Sequence, residues 1–216
     1  MMQPTPAHID PLIRRLNLIF NHYQLEQCCA LLALLAKWNH TYNLVSANSI
    51  KQLVSYHLLD ALTIANSIKQ LCPKNILDVG SGAGFPGIPL AIALPKTSVT
   101  LIDSSQKKTA FLRQAKIEIA IPNIHVVTQK VESWQTPILF DCIVSRAFST
   151  LAIFTQKTRH LIAQQGKWFA MKGDLSMIDF EVLPVDIVIS RVIALTIPDV
   201  KATRHLIVLN HQNTAL

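Results

Sequence analysis

The sequence predicts an α/β fold in which a doubly wound, mostly parallel sheet ends with an antiparallel strand and is preceded by a helical segment. Three observations predict it. From Asp10 to about Lys69 apolar residues recur at helical spacing, and no glycine occurs before Gly80. After Pro73, short β-branched or apolar runs alternate with helical stretches. The C-terminal part carries two apolar runs joined by a turn instead of a helix.

The N-terminal segment shows its period in Leu12, Leu16, Ile19 and Phe20, then in Leu31, Leu34, Leu35 and Trp38. Strands are predicted at Asn75–Val79, Ser98–Ile102, Ile124–Thr128, Phe140–Val144 and Gly166–Met171. Helices are predicted at Gly87–Leu94, Lys107–Ile119 and Ser149–Ile162. The runs Val185–Leu195 and His205–Leu209 flank a turn containing Pro198 and Asp199, and are expected to pair antiparallel and close the sheet. This divides the chain into helices packed on the core (residues 1–70) and a sheet-containing domain (71–216).

The chain has 216 residues, 50% of them hydrophobic and 15% charged, enough to bury a core, which excludes a disordered polypeptide. The formal charge of +7 suits a polyanionic partner such as nucleic acid, because each neutralised phosphate releases counterions, but it does not identify one. Cys28, Cys29, Cys72 and Cys142 form no C-x-x-C pair, so no metal site and no disulfide framework is expected. The apolar run Cys28–Ala36 is too short to span a bilayer, and the residues before it lack the order of a secretory signal. A cytoplasmic monomer with no membrane partner is expected.

Four of the six glycines fall at Gly80, Gly82, Gly84 and Gly87, between the run Ile76-Leu77-Asp78-Val79 and the next helix. A loop at the carboxyl end of a first strand must turn sharply and let a ligand approach backbone N–H groups with no Cβ in the way. Gly82 to Gly87 also fits the G-x-G-x-x-G of a dinucleotide fold, and Asp103 lies where either cofactor class would present its ribose. Asp78, with the antiparallel finish of the sheet, tips the balance between them. It completes D-x-G-x-G-x-G, which resembles the first motif of class I, Rossmann-like methyltransferases, with an acid suited to the amino-acid end of S-adenosylmethionine. Asp103 could accept both ribose hydroxyls or cap the helix that follows.

The longer segment DVGSGAGFPGIPLAI, the later SRAF and MKG, Trp38-Asn39-His40-Thr41-Tyr42-Asn43-Leu44 and His57-Leu58-Leu59-Asp60 together resemble the bacterial small-subunit rRNA guanine-N7 methyltransferase family, once called glucose-inhibited division protein B. The resemblance runs from about Trp38 to His205, and departs from the family pattern at Tyr56 and Ala61. It implies S-adenosylmethionine as cofactor and 16S ribosomal RNA or the small ribosomal subunit as partner. It also implies that Gly80 and Phe85 line the cofactor pocket, that Val131 and Glu132 flank the adenine, and that Arg146 sits where this fold faces the reacting methyl group.

Guanine N7 carries an in-plane lone pair and needs no deprotonation, so alignment and electrostatics can supply the catalysis. Ser145-Arg146-Ala147-Phe148 contains neither the Asn/Asp-Pro-Pro-aromatic signature of amine methylation nor the Pro-Cys nucleophile of cytosine C5 methylation. Arg146 could serve guanine O6, a phosphate or the cofactor carboxylate; alternatively it closes the strand end by pairing with Asp141 or Asp78. Lys172 and Arg204, with His205, are expected at the mouth of the pocket near RNA phosphates, or on an ordinary solvated face. A methyltransferase with another acceptor and a non-catalytic RNA-binding assembly factor are the competing readings.

Overall fold

The computed structural model describes residues 4–46, 50–146, 148, 150–173 and 183–212. Helix α1 (Pro6–Arg14) begins with Pro6, whose missing N–H removes a donor that a first helical turn cannot satisfy. Helix α2 (His22–Tyr42) opens with a reciprocal cap: Asn21 accepts from the Gln24 backbone N–H, and the Gln24 side chain accepts from the Asn21 N–H. It closes at Asn43 in the left-handed conformation, and the Asn39 side chain accepts from the Val45 N–H at 2.8 Å. Two asparagines of the Trp38–Leu44 motif thus act as helix-ending residues.

Helix α3 (Ile50–Leu53) runs into a π-helical turn, Val54–Leu59, and on into α4 (Asp60–Leu62); α5 (Ala65–Lys69) completes the segment. The period expected from Asp10 to Lys69 is therefore interrupted by left-handed Asn17 and Asn43 and by the wide turn. These interruptions let separate pieces fold over one face of the sheet.

The sheet has seven strands in the order β3-β2-β1-β4-β5-β7-β6. Its parallel part comprises β1 (Asn75–Val79), β2 (Ser98–Asp103), β3 (Ile124–Thr128), β4 (Phe140–Ser145) and β5 (Ile162–Lys172). The final strand β7 (Arg204–His211) inserts antiparallel between β5 and β6 (Ile187–Leu195), the expected antiparallel finish. The crossover helices are α6 (Gly87–Ala93), α7 (Gln106–Glu118) and α8 (Leu151–Thr158). Ser105 caps α7 and Thr150 caps α8 through their side chains.

Helix α8 is shorter than the predicted Ser149–Ile162, and β5 starts before the predicted Gly166. The chain turns through a Leu161 N–H to Thr158 carbonyl bond, and Ile162 pairs with Phe140 instead of continuing the helix. The offset between Phe140 and Cys142 accommodates Gly166, where a Cβ would lie 2.7 Å from the Phe140 carbonyl oxygen.

Strand alternation divides the core. Ile76, Leu101, Val144, Met171 and Leu206 pack on one face with the N-terminal helices, α6 and α7. Leu77, Ile102, Ile143, Trp168 and Ile207 pack on the other with α8. Trp38 meets Phe111 edge-on at 5.5 Å, joining α2 to α7. The strand order reverses between β1 and β4, and the carboxyl ends of strands at such a point form the ligand crevice of open α/β sheets. Among the described residues no helix is long and apolar enough to cross a membrane.

Candidate functional site

The glycine loop leaves β1 pinned to β2, since the N–H groups of Gly80 and Ser81 both donate to the Ile102 carbonyl at 2.9 and 3.1 Å. Gly80 has φ +68°, and a Cβ built there would meet no atom within 4 Å; it would project into open space where a ligand can lie. Gly84 is the opposite case. Its φ is +85° and a Cβ would collide with Ile88, so this glycine is required by the fold itself.

The two acids of the motif have different surroundings. Asp78 is buried beneath the loop, with Oδ2 accepting from the Gly87 N–H at 2.9 Å and Oδ1 lacking a hydrogen-bond partner. Burial pushes its pKa up to about 7, against the pull of that N–H. Asp103, at the end of β2, accepts from the Gly82 N–H at 3.0 Å and the Ser105 N–H at 2.9 Å, and has Lys108 at 3.7 Å. Each Asp103 oxygen keeps a second lone pair available to a ligand hydroxyl.

Asp103 lines a cavity of about 620 Å³ together with Gly80, Lys108, Val131, Glu132 and Phe148. Five of these six positions come from the carboxyl ends of β1, β2 and β3 or just beyond them; Phe148 follows β4. Glu132 pairs with Lys157 of α8 at 3.1 Å, closing one side.

A second cavity, of about 590 Å³, opens next to the first: Phe148 lines one, and Arg146, two residues earlier, lines the other. Tyr56, His57, Asp60, Lys172 and Arg204 complete its charged and aromatic lining. Alternation along β4 and β7 turns Arg146 and Arg204 toward the face covered by the N-terminal helices, where the π-helical turn delivers His57 and Asp60.

Buried Asp60 bridges the two arginines, with Arg146 Nη1 at 3.6 Å and Arg204 Nε at 3.5 Å. Arg146 also donates to the Tyr56 carbonyl at 3.3 Å, faces His57 Nδ1 at 3.2 Å and lies 5.6 Å over the Phe85 ring. Burial first, and the Arg146 charge second, lower the His57 pKa to about 4, so the imidazole is neutral near neutral pH. Lys172 donates to the Phe148 carbonyl at 2.8 Å, and burial lowers its pKa.

The structure brings Gly80, Asp103, Val131 and Glu132 together in the first cavity, and Arg146, Lys172 and Arg204 in the second. Gly82 reaches the first cavity through Asp103; Gly84 and Asp78 shape the loop from beneath. Phe85 is buried, with its ring against His57 and Arg146. The partner of Arg146 is Asp60, not Asp141 or Asp78; Asp141 instead accepts from the Lys74 and Asn75 N–H groups. His57 and Asp60 enter the sequence reading only as part of a segment that carries the family resemblance, because an H-x-x-D spacing within a helix says nothing of distant arginines. Ala147 and Ser149 lie outside the described residues. Among the described residues no group of His, Cys, Asp or Glu is arranged to hold a metal ion.

Comparison with known proteins agrees with this fold. A solved S-adenosylmethionine-dependent methyltransferase from Aquifex aeolicus shares the fold with a TM-score of 0.54 at 15% identity, over 73% of this chain and 92% of that one. The ribosomal RNA small subunit methyltransferase G of Chromobacterium violaceum is 45% identical over 201 residues, covering 93% of this chain and 95% of that protein. The protein of the same name from Pseudomonas aeruginosa (strain LESB58) is 42% identical over 212 residues, covering 97% and 98%. The family model for rRNA small subunit methyltransferase G, also termed GidB, matches residues 24–207, and the chain belongs to that family.

Proposed function

We propose that this chain transfers a methyl group from S-adenosylmethionine to N7 of a guanine in the 16S ribosomal RNA of the small subunit. The observation that carries the reading is the juxtaposition at the end of β4 of a cavity in which Asp103 and Glu132 sit among lysines with a cavity in which Arg146, Lys172 and Arg204 outnumber the single carboxylate of Asp60. The first suits a nucleoside and the second a polyanion.

The residues of the first cavity fit the cofactor. Asp103 is held by two backbone N–H groups with lone pairs left for both ribose hydroxyls. Val131 and Glu132 would flank the adenine, and the open space at Gly80 would admit the amino-acid portion past bare backbone. Asp78 supports that portion indirectly, by bracing the loop through Gly87. When bound, S-adenosylmethionine supplies an electrophilic methyl group on a sulfonium centre.

The second cavity would receive the RNA. Lys172 and Arg204 hold phosphates near its mouth, and Arg146, set by Asp60 and the Phe85 ring, fixes the boundary between the two cavities. No general base is required for N7, and the residues contribute by aligning the acceptor and excluding water.

The test is transfer of a radiolabelled methyl group from S-adenosylmethionine to small subunits or ribosomal RNA from cells lacking this methylation, followed by nucleoside mass spectrometry. The expected product is 7-methylguanosine, lost in Arg146→Met. A different methylated nucleoside would overturn the guanine N7 assignment. Cofactor binding without labelling of either RNA substrate would point to another acceptor.

A further inference from the structure

The contact between Arg146 and His57 has a direction. Arg146 Nη2 stands 3.2 Å from His57 Nδ1, and a guanidinium has hydrogen-bond donors only. His57 Nδ1 is therefore the acceptor, and the ring proton resides on Nε2. The donor is itself fixed: Arg146 is held by the Tyr56 carbonyl and the Asp60 carboxylate, and the Phe85 ring packs 5.4 Å from the imidazole and 5.6 Å from the guanidinium. His57 lines the basic cavity.

Resting on the guanine reading above, we infer that the Nε2–H of His57 donates to O6 of the purine that is methylated, and that this group tells guanine from adenine. O6 of guanine lies on the same edge as N7 and only accepts, whereas adenine presents an amino donor there. A fixed N–H donor therefore attracts guanine and meets adenine donor to donor. Arg146 is the weaker candidate, because part of its donor set, on Nη1 and Nη2, already serves Tyr56, Asp60 and His57.

The charge state of His57 suits the chemistry. Guanine gains positive charge as its N7 takes the methyl group. An imidazolium at O6 would oppose that development, but burial and the neighbouring guanidinium keep His57 neutral above about pH 4. Asp60 and Arg146 are then positioning residues that set the tautomer.

Two measurements test the inference. In protein labelled with 15N-histidine, long-range nitrogen–proton correlation at neutral pH should show His57 in the Nε2–H tautomer; an Nδ1–H tautomer or an imidazolium would overturn the proposal without reference to activity. The second compares a ribosomal RNA substrate carrying guanosine at the methylated position with one carrying 2-aminopurine, which keeps N7 but lacks O6. The wild type should prefer guanosine by about tenfold in kcat/KM, His57→Ala should abolish the preference by slowing guanosine alone, and His57→Gln, whose amide N–H can replace Nε2–H, should recover it. Equal slowing of both RNAs by His57→Ala, or no slowing, would reduce His57 to a packing role. Failure of the wild type to form 7-methylguanosine would instead remove the guanine reading.

Discussion

The two cavities at the end of β4 are built by different means. The cofactor cavity depends on backbone: successive glycines, N–H groups turned onto Asp103, and strand ends brought level by parallel pairing. The basic cavity depends on side chains from the π-helical turn, α4, the residue after β4, β5 and β7, with Asp60 lying between Arg146 and Arg204. A backbone-built site is sensitive to a single added methyl group. A side-chain-built site is sensitive to removal of the charge that holds its members together.

Two glycine substitutions should give the largest effects and separate fold from ligand. Gly84→Ala combines a left-handed backbone with collision at Ile88, and should destabilise the protein by about 2 to 4 kcal/mol in denaturant unfolding. Gly80→Ala has open space for its Cβ and should cost only about 1 kcal/mol, while weakening S-adenosylmethionine binding at least about tenfold by calorimetry. Equal losses of stability would mean that both glycines serve only the fold.

Exchanging the target from backbone to carboxylates sharpens the contrast. Asp103→Ala should raise the cofactor Kd about tenfold to a hundredfold, by removing a charged acceptor for two hydroxyls. Asp60→Asn should leave that Kd unchanged and raise KM for RNA about tenfold, because Arg146 and Arg204 lose their common anchor. Parallel changes in both constants would show that the two cavities act as one site.

The cofactor loop and the basic cavity also carry opposing pH dependences. Asp78, raised to about 7, contributes stability that is fully present below about pH 4 and is lost as pH rises through 7. His57, lowered to about 4, makes the unfolded chain the better proton acceptor, so stability is lost as pH falls from 6.5 toward 4. Burial also raises the pKa of Asp60, against the pull of Arg146 and Arg204, so Asp78 and Asp60 both oppose His57. Asp78→Asn should make the slope of the urea midpoint against pH more positive than in the wild type between about pH 4 and 6.5. An unchanged slope would remove Asp78 as a group that opposes His57.

The smallest effect is expected at the rim. Lys157 and Glu132 pair at 3.1 Å with both side chains more than 40% exposed, and Lys157→Ala should shift stability by less than about 0.5 kcal/mol. A larger loss would make this pair part of the cofactor cavity's frame.

Much of this architecture is legible in the residues. The strand pattern from Asn75 to Val144 and the antiparallel finish around Leu206 follow from apolar runs that must be buried on both faces of a sheet. The loop is legible because four glycines cluster after one strand, and Asp103 because it ends the next. The end of α8 is not legible in the residues, because Leu161 and Ile162 suit a helix or a buried strand equally by period, and the pairing of Ile162 with Phe140 decides between them. Asp78 read as a ligand residue because the motif specifies its place along the chain but not whether its carboxylate faces the cavity or Gly87.

The sequence by itself determined the fold class and the position of the cofactor loop, because burial periodicity and backbone conformational demand are properties of neighbouring residues. Only the tertiary structure decided what Arg146 does. Its partners Asp60 and His57 lie in a distant segment, 89 residues from Arg146 in the case of His57. Charge and hydrogen bonding act through space, and what brings those groups within reach is sheet alternation on one side and a π-helical turn on the other.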